Sequence, residues 1–231
     1  MSHDYYKRFA SIQGIVLDFD GVILDSNELK ADTFRRAFND FPKHGEEIFQ
    51  LHMARGGMGR DLKIRTIFKD ILHIPATEDE IRRRSIEVGR LIDHGIMNSP
   101  FVPGAREFIS NYCERYQLFI ASGTPQDEMR YIVQRRNLGS FFRQVFGSPR
   151  DKGEILRDLM DQEQWTASQL LFVGDAIDDL EGAVTAGVDF IGLVLPGNVD
   201  PFEDKKILAK VESLKDLGLQ WNTLVENKRL C

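Results

Sequence analysis

The chain has 231 residues, 42% of them apolar and 29% charged, with a formal net charge of -6. That length suits one large domain or a core with a smaller insertion, and the composition is that of an ordinary soluble globular protein. The acidic balance, with no basic block to offset it, argues against non-specific nucleic-acid binding, and no apolar run reaches the length of a membrane span. Cys113 and Cys231 are too few for a disulfide framework, and residues 1–10 lack the apolar core of a signal peptide. A reduced, cytoplasmic setting is therefore expected.

Ile15 to Leu17 reads as a buried strand, and it ends in Asp18-Phe19-Asp20-Gly21. Alternation along a strand puts the two carboxylates on one side, about 6–7 Å apart. They repel unless a cation lies between them or one is protonated. The plainer alternative is an Asp-Gly turn. Helical spacing then takes over in Asn27 to Asn39, Glu46 to Met53, Leu62 to Leu72 and Glu78 to Asp93. Thr77 and Glu80 are spaced as a capping box before the last of these. No strand is expected from residue 27 to about 98, and Asn98-Ser99-Pro100 reads as the exit linker.

From Pro103 onward helices and strands alternate. Helices are expected at Ala105 to Arg115, Pro125 to Asn137, Lys152 to Leu159, Leu180 to Ala186 and Val211 to Leu217. Strands are expected at Leu118 to Ala121, Gln144 to Gly147, Leu170 to Val173 and Phe190 to Leu195. This rhythm implies an α/β fold, a Rossmann-like, doubly wound, mostly parallel sheet with helices on both faces. The helical block is inserted after the first strand as an all-α cap. The division expected is 1–26 and 99–231 for the core and 27–98 for the cap. Ligands bind outside the carboxyl ends of strands in such sheets.

Those ends carry the chemistry. After the second strand comes Ser122-Gly123-Thr124-Pro125, where glycine permits close backbone approach and free helix amides favour an anion. Thr124, Pro125 and Asp127 read as a helix cap, leaving Ser122 as the better phosphate ligand. Lys152 follows the third strand, either as a solvated helix residue or as part of a site. Gly174-Asp175-Ala176-Ile177-Asp178-Asp179 follows the fourth. So many carboxylates after an apolar strand are costly unless they face a cation or water. Oxygen donors without nearby nitrogens or thiols point to Mg²⁺ rather than Zn²⁺. Asp178 reads as a solvated helix cap. The scattered histidines, His3, His44, His52, His73 and His94, suggest no metal site.

The four motifs in this order, Asp18-x-Asp20, Ser122-Gly123, Lys152 and Gly174-Asp175-x-x-x-Asp179, resemble the haloacid dehalogenase superfamily. The likeness covers nearly the whole chain and is greatest to its phosphoglycolate phosphatase and β-phosphoglucomutase branch, which carries a helical cap between the first two motifs. It implies that Asp18 attacks phosphorus and forms an aspartyl-phosphate. It implies that Asp20 protonates the leaving oxygen and then activates water. It also implies Mg²⁺ held by Asp18, the Asp20 carbonyl and Asp175, with phosphate neutralised by Ser122, Gly123 and Lys152. Asp179 would act from behind, on Lys152 or metal-bound waters.

Asp20 separates the chain from the dehalogenases and phosphonatases, which lack that acid. The mutases of the branch carry a histidine where this chain has Lys30, and that departure favours a phosphatase. Arg55 and Arg60, in a glycine-rich stretch where cap specificity loops lie, either hold an anionic substrate or are solvated. The expected partner is a small phosphorylated metabolite. Competing readings are a sugar phosphomutase and a catalytically silent binding protein. The substrate and the oligomeric state are not legible.

Overall fold

The computed structural model describes residues 9–226; His3, Cys231 and the side chain of His94 fall outside what is described. Among the described residues six parallel strands form one sheet: β1 (Gly14–Leu17), β2 (Gln117–Pro125), β3 (Gln144–Ser148), β4 (Leu170–Gly174), β5 (Asp189–Leu193) and β6 (Ala209–Val211). Their order is β3-β2-β1-β4-β5-β6. In the central register Leu17 stands opposite Ile120 on one side and Val173 on the other. The sheet grows outward in both directions from the β1–β4 pair, and the crevice at such a switch point is where α/β sheets take ligands. Asp18 and Asp175 stand directly after those two strands.

Between β1 and β2 the chain builds a helical cap of α1 (Asn27–Ala37), α2 (Gly45–Ala54), α3 (Arg60–Thr66) and α4 (Glu78–Asn98). Phe34, Phe38, Ile48, Ile64, Ile92 and Ile96 are buried there, each contributing roughly 1.5–3 kcal/mol when fully removed from water. Thr77 and Glu80 form the expected capping box of α4. The core helices are α5 (Ala105–Tyr112), α6 (Gln126–Arg135), α7 (Lys152–Glu163), α8 (Ile177–Ala186) and α9 (Leu214–Glu226). Strand alternation divides the interior. Ile15, Leu17, Ile120 and Val173 pack with α5, α6 and α9, whereas Val16, Phe119 and Phe172 pack under α7 and α8. No helix among the described residues is long and apolar enough to cross a membrane.

Several boundaries differ from the sequence reading. The expected helix from Val211 to Leu217 is the edge strand β6 followed by α9. Three residues are too few to show alternation, and Val211 is fixed by its pairing with Leu193. The Ser213 hydroxyl accepts from Asp216 N at 3.1 Å, which sets the later helix start. Helix α4 continues past Asp93 to Asn98, because Ile92 and Ile96 keep the buried face going. Helix α6 begins at Gln126, without the Thr124 cap that was expected. The Thr124 hydroxyl accepts instead from Lys30 Nζ, across the cap boundary. Helix α3 starts at Arg60 and gives way to a π turn over Ile67–Ile71.

Candidate active site

The strand ends converge. Asp18 is buried and its amide donates to Val173 O at 2.9 Å, tying the end of β1 to β4. Gly21 has φ 75°, and a Cβ there would stand 2.0 Å from Asp175 Oδ2, so only glycine lets the turn pass beside that carboxylate. Asp18, Asp175 and Asp179 each offer an oxygen within 4.8 Å of the others. Lys152, at the start of α7, places Nζ 3.1 Å from Asp18 Oδ1 and hydrogen-bonds Asp179 Oδ1. The other Asp179 oxygen accepts from Asp175 N at 3.1 Å and Ala176 N at 3.0 Å. Its acceptors are thus used in orienting Lys152 and the β4–α8 turn.

Crowding buried acids shifts their protons. Burial and then the Asp179 charge push Asp18 up to about 7, against the pull of Lys152. Burial, with Asp18 and Asp179 beside it, holds Asp175 well above the usual carboxylate range. Asp179 is raised too, chiefly by burial, with Lys152 opposing. Burial alone would lower the Lys152 ammonium, but Asp179 and Asp18 outweigh it and hold it above its ordinary value. Asp18 Oδ1, for all its closeness to Lys152, has no well-directed hydrogen bond. Hard oxygen donors, mutual repulsion and that orphaned oxygen suit a hard divalent cation.

Asp20 has partners outside this cluster. Its Oδ1 accepts from Ser26 Oγ at 2.6 Å and its Oδ2 from Lys30 Nζ. Both carboxylate oxygens are thereby fixed. Ser122 is buried and its Oγ accepts from Thr124 N at 3.1 Å. The loop between α2 and α3 lies over the site. A Cβ on Gly123 would be 2.8 Å from the carbonyl oxygens of Gly57 and Met58, and one on Gly57 would be 3.0 Å from Lys152 Nζ. A cavity of about 590 Å³ opens between this loop and Ser122, Gly123, Lys152 and Asp178.

The cap residues singled out from sequence fall in different places. Lys30 is buried beside Asp20. Arg55 is half-exposed and bridges cap to core, its Nε 2.9 Å from Asp178 Oδ1 and its Nη2 3.1 Å from Glu181 Oε2. Asp178 is therefore an ion-pair partner rather than a solvated cap. Arg60 is buried, donating to Glu128 Oε1 at 2.5 Å and Ser85 O at 3.3 Å, which ties α3 to α6 and α4. The sequence reading missed Asn27, whose Nδ2 donates to Asp175 Oδ2 at 2.6 Å. It also passed over Lys63, and it read His52 only as one of the scattered histidines; the two are buried side by side in the cap with Nζ 2.9 Å from Nδ1. A lysine and a histidine eleven positions apart on different helices leave no pattern along the chain.

Comparison with known proteins shows the family. The family model described as haloacid dehalogenase-like hydrolase matches residues 15–193. A phosphorylated carbohydrates phosphatase of Thermotoga maritima is 24% identical over 185 residues, covering 78% of this chain and 84% of its own. A phosphoglycolate phosphatase of Photobacterium profundum is 24% identical over 196 residues, covering 81% and 85%. Among solved structures, a predicted phosphoglycolate phosphatase from Haemophilus somnus superposes with a TM-score of 0.73 at 20% identity, covering 91% of this chain and 98% of its own. With the family model spanning every strand-end motif from Asp18 to Asp179, the chain belongs to the haloacid dehalogenase-like hydrolases.

Proposed function

We propose that this chain is a Mg²⁺-dependent phosphatase that hydrolyses a small phosphomonoester through an aspartyl-phosphate on Asp18. The observation that carries the reading is the meeting of Asp18, Asp175 and Lys152 at the β1–β4 switch point, with Asp20 fixed separately on the cap side. Residues 27–98 act as the cap and 1–26 with 99–231 as the catalytic core. The phosphatase names of the relatives from Thermotoga and Photobacterium support the same class.

Asp18 and Asp175, with the Asp20 carbonyl, would hold Mg²⁺, which when bound neutralises carboxylate and phosphate charge in the site. Lys152, Ser122 and the Gly123 amide hold the phosphate oxygens and stabilise the charge that spreads over them. An Asp18 oxygen attacks phosphorus as the bond to the leaving oxygen breaks, and Asp20 gives that oxygen its proton. Asp20 then takes a proton from water as the water oxygen attacks the phosphoryl group. The Asp18–phosphorus bond breaks, releasing inorganic phosphate and restoring the carboxylate. Asp179 keeps Lys152 aimed at Asp18 throughout, and the loop carrying Gly57 and Met58 excludes water from the centre.

The test is release of phosphate from 4-nitrophenyl phosphate. Activity should require added Mg²⁺, vanish with a chelator and vanish in Asp18→Asn. Turnover by Asp18→Asn equal to that of the wild type would reject the assignment. Recovery of an isomeric sugar phosphate in place of free phosphate would replace it with a mutase.

A further inference from the structure

The reacting centre has a second opening. The cavity described above is lined by Ser122, Gly123 and Lys152, the groups assigned to phosphate, and Asp175 does not line it. Asp175 lines another cavity of about 590 Å³, bounded by α1 and α2 of the cap and by the segment that follows β5. Phe49 and Met53 enter its wall from α2, and Leu195 and Val199 from the core segment. Among the described residues the two cavities share no lining residue.

A seam separates them. The chain crosses from one cavity to the other between Ala54 and Arg55, and again between Ile177 and Asp178. Arg55 Nη2 lies 2.7 Å from Asp178 Oδ1 at that seam, so the ion pair that bridges cap and core is also the partition. The openings differ in charge. Arg55, Arg150 and Lys152 line the first, together with carboxylates. The second carries Glu28 and Asp175 with the amides of Asn27, Gln50 and Asn198, and no lysine or arginine among the described residues lines it. Asp175 is half-buried, whereas Asp18 and Asp179 are buried. The member of the acid cluster with the most open surface thus lines the cavity that has no cation.

We propose that this second cavity is the port through which hydrated Mg²⁺ reaches Asp175, so that the cation and the phosphoester enter the centre by different openings. The inference rests on the metal-dependent phosphatase reading above. Mg²⁺ gives up water reluctantly and travels with an octahedral shell. Six waters at about 30 Å³ each make an ion of roughly 180 Å³, which a cavity of about 590 Å³ admits. Amide and carboxylate oxygens accept hydrogen bonds from that shell, and a cleft whose charges are of one sign concentrates the opposite ion. By the first opening the ion would have to pass the Lys152 ammonium, which lines that cavity 3.1 Å from Asp18 Oδ1.

The experiment compares matched charge reversals at the two mouths. Glu28, in the first turn of α1, lines the second cavity, and Asp61, in the first turn of α3, lines the first. Both are exposed, so each lysine variant should fold, which a thermal melt checks. Metal-free protein is mixed with Mg²⁺ in a stopped-flow instrument, without substrate, and uptake is followed with a fluorescent Mg²⁺ indicator. At low ionic strength Glu28→Lys should slow uptake about 5-fold or more beyond any effect of Asp61→Lys. Added KCl should erase most of that difference. Met53→Trp, which narrows the second mouth, should slow uptake and release alike and leave the Kd for Mg²⁺ unchanged. Slowing by Asp61→Lys equal to or greater than that by Glu28→Lys overturns the port, as does wild-type uptake in either Glu28→Lys or Met53→Trp. If 4-nitrophenyl phosphate hydrolysis still requires Mg²⁺, such a result rejects the port alone. No Mg²⁺ uptake by the wild type rejects the metal-dependent reading with it.

Discussion

Lys30 Nζ donates to Asp20 Oδ2 and, at 2.6 Å, to Thr124 Oγ1. One side chain of the first cap helix thus grips the ends of β1 and β2 together. The cap does not merely lie over the sheet; it supplies one of the two donors that orient the proposed acid–base, the other being Ser26.

Lys30→Met should therefore affect folding and turnover at once. Removing one member of a buried charge pair strands the other, at a cost of about 3–5 kcal/mol. A urea titration should show that loss, and kcat should fall by about 100-fold as Asp20 loses its fixed orientation. A variant with wild-type kcat would show that Ser26 alone positions Asp20.

Gly123→Ala tests the close approach of cap and core. The added methyl would stand 2.8 Å from the carbonyl oxygens of Gly57 and Met58, both backbone atoms that cannot step aside by a rotamer change. The backbone amide at this position keeps its hydrogen in the variant, so the phosphate contact proposed for that group survives. The expected result is a fall in kcat/KM of about 100-fold from a displaced loop, with the circular dichroism spectrum unchanged. Wild-type kinetics would mean that the loop does not close on Gly123 during turnover.

Lys63 gives stability a pH signature. Its folded value is about 7, against an ordinary 10.5. Between those values the unfolded chain holds a proton that the folded chain has released, so this contribution to stability rises with pH across the window. It is fully present above 10.5 and is lost as pH falls through 7. The unfolding free energy of the wild type minus that of Lys63→Met, measured in urea without Mg²⁺, should increase steadily from pH 7 toward 10.5. A flat difference would mean that the ammonium keeps its charge inside the cap.

Much of the fold was legible because buried parallel strands are written as continuous apolar runs. Ile15 to Leu17 and Leu170 to Val173 lie buried in β1 and β4 as read. Edge strand β6 was not legible, since Ala209–Val211 is too short for any period to show and is defined by its partner β5. Thr124 shows a different failure. Its surroundings in sequence spell a helix cap, yet a lysine ninety-four positions away claims the hydroxyl. Local hydrogen bonding competes with distant partners, and only packing decides between them.

The sequence by itself determined the α/β class, the inserted helical cap and the family, because strand-end motifs are local and their order survives in one dimension. It also marked Asp18, Asp20, Ser122, Lys152, Asp175 and Asp179 as candidates. Tertiary structure alone decided how they divide. Asp179 is spent on Lys152 and two backbone amides, Asp20 on Ser26 and Lys30, and Arg60 on Glu128. It alone brought Lys63 against His52 beside Lys30. The physical reason is common to all of these: burial and charge pairing depend on distances through space between residues on different elements, and no spacing along the chain encodes them.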